Sequence, residues 1–214
     1  MSRVKQNIRS RFSKEGDIRF ISHHDLMRTF DRALRRADLP VAMSEGHNPR
    51  PRISIPAPLS VSFRGRNEVF DVGLDEWIRP REFSRRLAAE LPEGITLKSA
   101  RITSTHPDRQ PREFSYRVAL QPGAALTEEK VGTLLQKERA VVLRERKKGS
   151  KEVNVLEFLK GLRLDGDALL MLIEFTNRGT ARPEEVMQVL GCREGEDFLV
   201  GRIERTHVRM SPSA

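Results

Sequence analysis

The order in which strand-like and helix-like patterns follow one another is the feature that most constrains this fold. Apolar residues that alternate with polar ones are typical of strands, and apolar residues every three or four positions are typical of amphipathic helices. In the first half the patterns run strand, helix, strand, strand, helix, strand, over 3–12, 22–37, 41–44, 67–74, 80–91 and 95–102. The segment 18–21 is predicted to be a second short strand or a continuation of the first.

The same order recurs after a segment with the composition of a linker. Residues 106–112 contain two prolines and no apolar pattern, which indicates a connection between domains. The patterns beyond it predict a strand, a helix, a hairpin, a short helix, a strand, a helix and a strand, over 114–120, 127–135, 140–155, 156–164, 169–175, 183–190 and 198–208. We therefore predict an α+β fold of two tandem ferredoxin-like (βαββαβ) halves packed side by side, over residues 1–105 and 113–214.

A well-specified helix start follows the first strand. Ser22 and Asp25 have the spacing of a capping box, and Ile21 and Leu26 have that of a hydrophobic staple. The helix they begin carries one row of cations, because arginines recur there at intervals of four and three residues: Arg28, Arg32 and Arg35. Capping alone explains Ser22 and Asp25 without any function.

Positive charge is concentrated at one end of the chain. The formal net charge is +9, and residues 1–66 hold 14 Lys and Arg against 6 Asp and Glu. The alternation in 3–12 predicts a strand with one apolar and one cationic face, the latter including Arg9 and Arg11. Most of the cations are arginine, whose planar fork suits phosphate oxygens. This pattern favours a polyanion site, RNA or DNA, over arginine used only as general surface charge.

The loop after the first helix has the composition of a binding loop. Pro49 and Pro51 exclude regular structure there. Ordering such a loop is costly unless something binds to it. Its candidate contacts are Ser44, Glu45, His47, Asn48, Arg50 and Arg52.

Other kinds of site have weaker support. His23, His24 and His47 are candidate metal ligands, but adjacent histidines on a helix diverge by about 100° and rarely face one ion. Lys147, Lys148 and Lys151 at a predicted hairpin tip are a possible second anion contact or a solvated turn. The sequence has no dinucleotide-binding, P-loop, nucleophile-elbow or zinc-protease motif, so we expect no metal and no cofactor.

The bulk composition predicts a cytoplasmic protein. No apolar run approaches the ~18 residues that cross a bilayer, and the N-terminus lacks an apolar signal segment. The single cysteine, Cys192, excludes an internal disulfide framework and a cluster held by several thiolates of this chain.

Two blocks of sequence resemble a bacterial domain family of unknown function described as radical-SAM-linked. In that family a Phe-x-Lys-x-Gly…Arg-Phe-Ile-Ser-His-Leu-Asp block precedes a helix rich in Arg and Ala, and a Ser-Glu-Gly-Phe-Asn-Pro-Arg-Pro block follows. The matches here are Phe12, Lys14, Gly16, 19–23, Asp25, Leu26, Arg28, Ala33, Leu34, Arg36, Ala37, 44–46 and 48–51. Here His24 replaces a leucine of the family, and His47 replaces an aromatic residue.

The resemblance implies an association rather than a reaction. Members of that family are encoded beside, or fused to, radical-SAM proteins and often near RNA-processing genes. This chain lacks the three-cysteine cluster motif, so it is not itself the radical enzyme. Together with the charge pattern, the resemblance predicts an accessory protein that binds RNA and a radical-SAM partner.

The expected RNA contacts combine the helix row, the loop and the first motif. They are Lys14, Arg19, His23, Arg28, Arg32, Arg35, Ser44, His47, Asn48, Arg50 and Arg52. We expect them to converge on one patch. Two alternatives stay open: a metal-independent RNA endonuclease with His23 or His47 as general base, and a module that only docks the radical-SAM protein.

Overall fold

The computed structural model describes residues 4–103, 110–146 and 149–211 of the chain. In those ranges the protein is a mixed α+β structure with a large, mostly antiparallel sheet and four α-helices. It divides into two compact units, Met1–Pro111 with Met210–Ala214 (unit 1) and Arg112–Arg209 (unit 2). No helix in the described ranges is long and apolar enough to cross a bilayer.

Unit 1 is an antiparallel sheet with two α-helices packed against it. Its elements are β1 (Gln6–Lys14), a 3-10 helix (Gly16–Phe20), α1 (His23–Arg36), β2 (Ile53–Ser54), β3 (Arg64–Leu74), α2 (Pro80–Glu90) and β4 (Ile95–Thr103). The strand order is β4-β1-β3, and the short β2 pairs with β3. In the β1–β3 register Gln6 lies opposite Leu74 and Lys14 opposite Gly65. The predicted strand 41–44 is reduced to isolated bridges at Val41 and Met43.

The core of unit 1 is built around Phe30 of α1. Its ring stacks on Phe70 of β3, with 4.1 Å between the ring centroids, and meets Phe12 of β1 edge-on at 5.0 Å. Leu26 and Leu34, one turn away on either side, are also buried. The helical spacing of these residues is the reason why one stripe of α1 fits the sheet.

The polar face of β1 is not a cationic surface, which corrects the prediction. Arg9 is buried and forms a bidentate ion pair with Asp71 on β3, at 2.7 and 2.9 Å. Arg11 is half-buried and donates to the Asn67 carbonyl at 3.1 Å. Burial, followed by the nearby charge of Arg9, lowers the pKa of Arg11. Alternation distinguishes two faces of a strand but does not show whether the polar one reaches solvent.

The segment 18–21 is also not a strand. Residues Gly16–Phe20 form a 3-10 helix that begins at a glycine with a φ of +60°. The turn is pinned where the Glu15 amide donates to the Gly94 carbonyl at 2.8 Å. Ile18 and Ile21 pack against the core of unit 1. Their spacing of three residues matches this tight turn as well as it matches a short strand.

Unit 2 has a comparable succession of elements. They are β5 (Pro111–Leu120), α3 (Glu128–Leu135), β6 (Val141–Arg146), β7 (Gly149–Asn154), β8 (Leu159–Asp165), β9 (Ala168–Glu174), α4 (Pro183–Val189) and β10 (Phe198–Met210). Here the strand order is β10-β5-β9-β8, and β6 and β7 form a separate two-stranded hairpin. Arg144 ties this hairpin to α4, because its guanidinium bonds both carboxylate oxygens of Glu185 at 2.6 and 2.7 Å.

One predicted element of unit 2 is wrong. The segment 156–164 is not a helix: a 3-10 turn, Val155–Glu157, is followed by β8. β8 pairs with β9, whose continuous apolar run supplies a buried neighbour. Strand pairing therefore overrides the weak helical spacing of the leucines. Most of the predicted linker, 106–109, lies outside the described residues.

Candidate nucleic-acid interface

The predicted cap at the start of α1 is present. The Ser22 hydroxyl accepts from the Asp25 amide at 3.2 Å and donates to the Asp25 carboxylate at 2.7 Å. This hydroxyl bond, with a smaller effect of Arg28, lowers the pKa of the Asp25 side chain. Ser22 and Asp25 therefore stabilise the helix start, as capping requires.

The arginine row lies on the exposed side of α1. Arg28 is paired with Asp25 at 3.3 Å, and Arg35 with Asp31 at 3.0 Å. Both pairs join neighbouring turns of one helix, and exposed pairs of this kind contribute only about 0.3–0.5 kcal/mol. Arg32 has no carboxylate partner in the part of the chain that the structure describes. The positive charge of the row is thus partly compensated by Asp25 and Asp31. These exposed ion pairs are weak enough for a phosphate to replace the carboxylates.

The loop carrying the second motif is closed by its own hydrogen bonds. The Ser44 amide donates to the Arg50 carbonyl at 2.7 Å, and the Arg50 amide donates to the Ser44 hydroxyl at 2.9 Å. Ser44 therefore has a structural role in closing this loop. Outside this closure His47, Asn48 and Arg50 are exposed, and their side chains have no partner among the described residues.

The two motifs lie at opposite ends of the unit 1 sheet. Lys14 ends β1 beside Gly65, close to the start of α1. Arg52 is held at the other end, where the Gly73 amide donates to its carbonyl at 2.8 Å. Eight residue steps of β1 separate these ends, or about 26 Å. Contrary to the prediction, the candidate residues therefore do not converge on one patch.

α1 spans the distance between the two motifs. It begins at His23 near the Lys14 end and ends at Arg36, after which Val41 pairs with Leu74 at the other end. A helix of 14 residues is about 21 Å long. The arginine row thus lies between the two motifs, and the cations are distributed along the unit rather than clustered.

The first motif is divided between a buried and an accessible part. Lys14 is 1% exposed, and its ammonium donates to the carbonyls of Arg19 and Ile21 at 3.2 and 3.1 Å. Lys14 therefore stabilises the chain reversal before α1. Because it is not on the surface, it is not accessible for the predicted contact with RNA. Arg19 is half-buried, and its guanidinium lies over the ring of Phe20, 4.7 Å from the centroid.

His23 combines partial burial with an uncommitted nitrogen. Its Nδ1 is buried without a hydrogen-bond partner in the described structure, and its ring centroid lies 6.0 Å from that of His24. Burial, followed by the charges of His24 and Lys14, lowers the pKa of His23 below 6.5. Both effects therefore favour the neutral form of the imidazole.

Two further candidates from the sequence are a metal site and the tip of the β6-β7 hairpin. Among the residues described, no three His, Cys, Asp or Glu side chains are grouped to hold a metal ion. His47 lies in the loop at the sheet end opposite His23. Lys147 and Lys148 lie outside the described residues, and Lys151 is an exposed residue of β7.

These features define an α+β protein with a cationic helix face flanked by two exposed motifs. The chain belongs to the DUF2344 family, described as uncharacterized proteins conserved in bacteria, whose model matches residues 7–183. A search of the curated proteins found no match.

Proposed function

We propose that this protein is an accessory RNA-binding protein that uses the arginine row of α1 and the loop 44–52. The observation that carries the proposal is that Arg32 and Arg50 are exposed and lack a carboxylate partner among the described residues. An exposed guanidinium free of internal ion pairs is available for bidentate contact with phosphate oxygens. The net charge of +9 adds a long-range attraction to polyanions.

The distribution of the cations favours an extended ligand over a small one. Arg19, the row of α1 and Arg50 are spread along a distance of roughly 26 Å. A small anion reaches one of these groups, whereas a nucleic-acid strand reaches several.

We further propose that a radical-SAM protein is the partner, on the strength of the motif resemblance, and that the RNA is the substrate of modification or processing.

We also infer that each unit is ferredoxin-like, which would make the protein a tandem of that fold. In both units the fourth strand pairs with one side of the first strand, the third strand pairs with its other side, and the second strand pairs with the third. The orders are β4-β1-β3 with β2 on β3 in unit 1, and β10-β5-β9-β8 in unit 2, where the hairpin is not counted. In unit 2 the hairpin β6-β7 is then an insertion between the first helix and the second strand.

Replacing Arg50 and Arg52 with alanine together should weaken RNA binding and reduce its dependence on salt. Removing one cation that binds a phosphate reduces the slope of log K against log [salt] by about 0.7 for a single strand. If both arginines bind phosphates, the slope should therefore become shallower by about 1.4. Fluorescence anisotropy with a labelled RNA over a range of salt concentrations measures it.

The matched control removes the same charge elsewhere. Arg85 is paired with Glu82 on α2, and Arg178 with Glu157 in unit 2, and both arginines are exposed. The double variant Arg85→Ala, Arg178→Ala should retain the wild-type slope. An equal weakening of binding in the two double variants would indicate that net charge alone attracts the RNA, and an unchanged slope in the first would refute the loop contact.

A second candidate function rests on His23. A neutral imidazole at the start of a cationic helix is suited to remove the proton from a ribose 2′-hydroxyl, as in metal-independent RNA cleavage. Because the pKa of His23 is lowered, its basic form persists to a lower pH than that of an ordinary histidine.

Under this second hypothesis RNA cleavage would survive EDTA and disappear in His23→Gln. The rate should decline as the pH falls through the lowered pKa of His23, at a lower pH than for an ordinary imidazole, since protonation removes the base. His47→Gln serves as the comparison, because its exposed imidazole lies at the other end of the sheet. Intact RNA after incubation with the wild-type protein would exclude the endonuclease and leave the accessory role.

A further inference from the structure

Two aromatic side chains stand out on the surface of unit 1. Of the Phe, Tyr and Trp residues that the structure describes, only Phe20 and Trp77 are mostly exposed, at 53% and 70%. A ring that is exposed, held in position and placed beside a cation is a candidate contact for a planar π group. Phe20 is not among the residues that the sequence predicts to bind RNA, because its segment has the pattern of a strand.

The position of Phe20 is fixed by the backbone on both sides of it. The Lys14 ammonium bonds the carbonyls of the preceding and following residues, and the Ser62 amide donates to the Arg19 carbonyl at 3.0 Å. Lys14 is itself buried at the end of β1. The ring is therefore presented by a pre-organised turn, which reduces the ordering cost of binding.

One cation, the Arg19 guanidinium, lies directly against the Phe20 ring. The Arg19 guanidinium lies 4.7 Å from the ring centroid and has no carboxylate partner within the described ranges. Asp17 is an exposed carboxylate on the same 3-10 helix, and Asp25 is already engaged by Ser22 and Arg28. A cation beside an aromatic ring favours binding of an electron-rich planar group. The same guanidinium can also bind a phosphate that is attached to that group.

We propose that Phe20 and Arg19 form a stacking site for one unpaired nucleobase, so that the bound RNA is single-stranded at the start of α1. This inference rests on the proposed RNA-binding function and specifies the class of RNA. Stacking on an aromatic ring tolerates any base, because every base has a π face. Bases in a duplex are already stacked on their neighbours and do not reach the ring. The arginine row of α1 contacts the phosphates that follow.

The test compares Phe20 variants on an oligouridine and on a blunt RNA duplex of the same length. Phe20→Ala and Phe20→Leu should both weaken binding of the single strand by about fivefold to a hundredfold, as expected when one base no longer stacks. Binding of the duplex should not change. The salt slope should also stay the same, because no phosphate contact is removed. Phe20→Trp should retain affinity, and in a Trp77→Phe background its fluorescence should be quenched by the oligouridine.

Trp77→Ala is the matched control. Trp77 follows β3 at the Gln6 end of β1, where the Gln6 side chain donates to the Ile78 carbonyl at 2.9 Å, and is thus remote from Phe20. This variant should bind the single strand like the wild type. Retained affinity in Phe20→Leu would mean an apolar contact without stacking, and an equal weakening in Phe20→Ala and Trp77→Ala would mean a nonspecific effect. Either result overturns the stacking site.

The failure of the stacking site is distinguishable from the failure of the proposed function. If the wild type binds neither RNA at low salt, the RNA-binding function itself is wrong. If it binds with a steep salt slope and Phe20→Ala binds with the same affinity, only the stacking site is wrong. If Phe20→Ala instead prevents co-purification of a protein while RNA binding is unaltered, the ring is a protein contact and the inference fails.

Discussion

Replacing Asp71 with alanine should destabilise unit 1 by about 3–5 kcal/mol, the usual effect of removing one partner of a buried ion pair. The Asp71 and Arg9 side chains are 6% and 2% exposed and are joined by two hydrogen bonds. Without the carboxylate, the Arg9 guanidinium stays buried beside the half-buried Arg11, whose pKa it already lowers. Urea denaturation followed by circular dichroism measures the free energy of unfolding.

Two further variants distinguish the effect of leaving a buried charge unpaired from the effect of removing a carboxylate side chain. Glu82→Ala removes an exposed carboxylate paired with Arg85, and should destabilise the protein far less than Asp71→Ala, because exposed ion pairs contribute little. Arg9→Met combined with Asp71→Leu should recover part of the stability, because it removes both charges of this pair together. A destabilisation below about 1 kcal/mol in Asp71→Ala would show that water or another group compensates Arg9.

Phe30→Ala should destabilise unit 1 by about 3–5 kcal/mol as well, but for a different reason. Phe30 is 0% exposed and lies between Phe12 and Phe70. Its removal leaves a cavity that both rings border, and both are held by neighbouring strands that cannot collapse inward. The same denaturation measurement applies, and Phe30→Leu should be less destabilised because it fills part of the space.

Phe20→Ala is the natural control for Phe30→Ala, since it deletes the same atoms from an exposed position. It should change the free energy of unfolding by no more than about 0.5 kcal/mol. A similar destabilisation in both variants would contradict the assignment of Phe30 as the centre of this core.

Local signals predicted those elements whose causes are local. The cap at Ser22 is where the sequence indicates it, and α3 and α4 lie within the predicted ranges 127–135 and 183–190. A cap depends on a side chain and an amide three residues apart, so neighbouring residues contain all the information. The apolar stripe of α1 likewise depends only on helical spacing, and Leu26, Phe30 and Leu34 are buried as that spacing requires.

The candidate site was predicted less completely. The arginine row is exposed as expected, because a helix face opposite an apolar stripe turns to solvent. Lys14 and Ser44 were assigned to RNA contact but are engaged inside the protein. Hydrogen bonds to carbonyls or amides several residues away have no signature in composition. Phe20 was missed because a tight turn and a short strand have similar apolar spacing over four residues.

The sequence by itself determined the helix stripes, the caps, most of the strands and the concentration of positive charge in the first 66 residues, since each depends on spacing or counting along the chain. Only the tertiary structure decided which cations of the strands face solvent: Arg9 is paired across the sheet with a residue 62 positions away. It also decided that the two motifs lie at opposite ends of β1. Strand register sets both outcomes, and register results from packing between residues far apart in sequence.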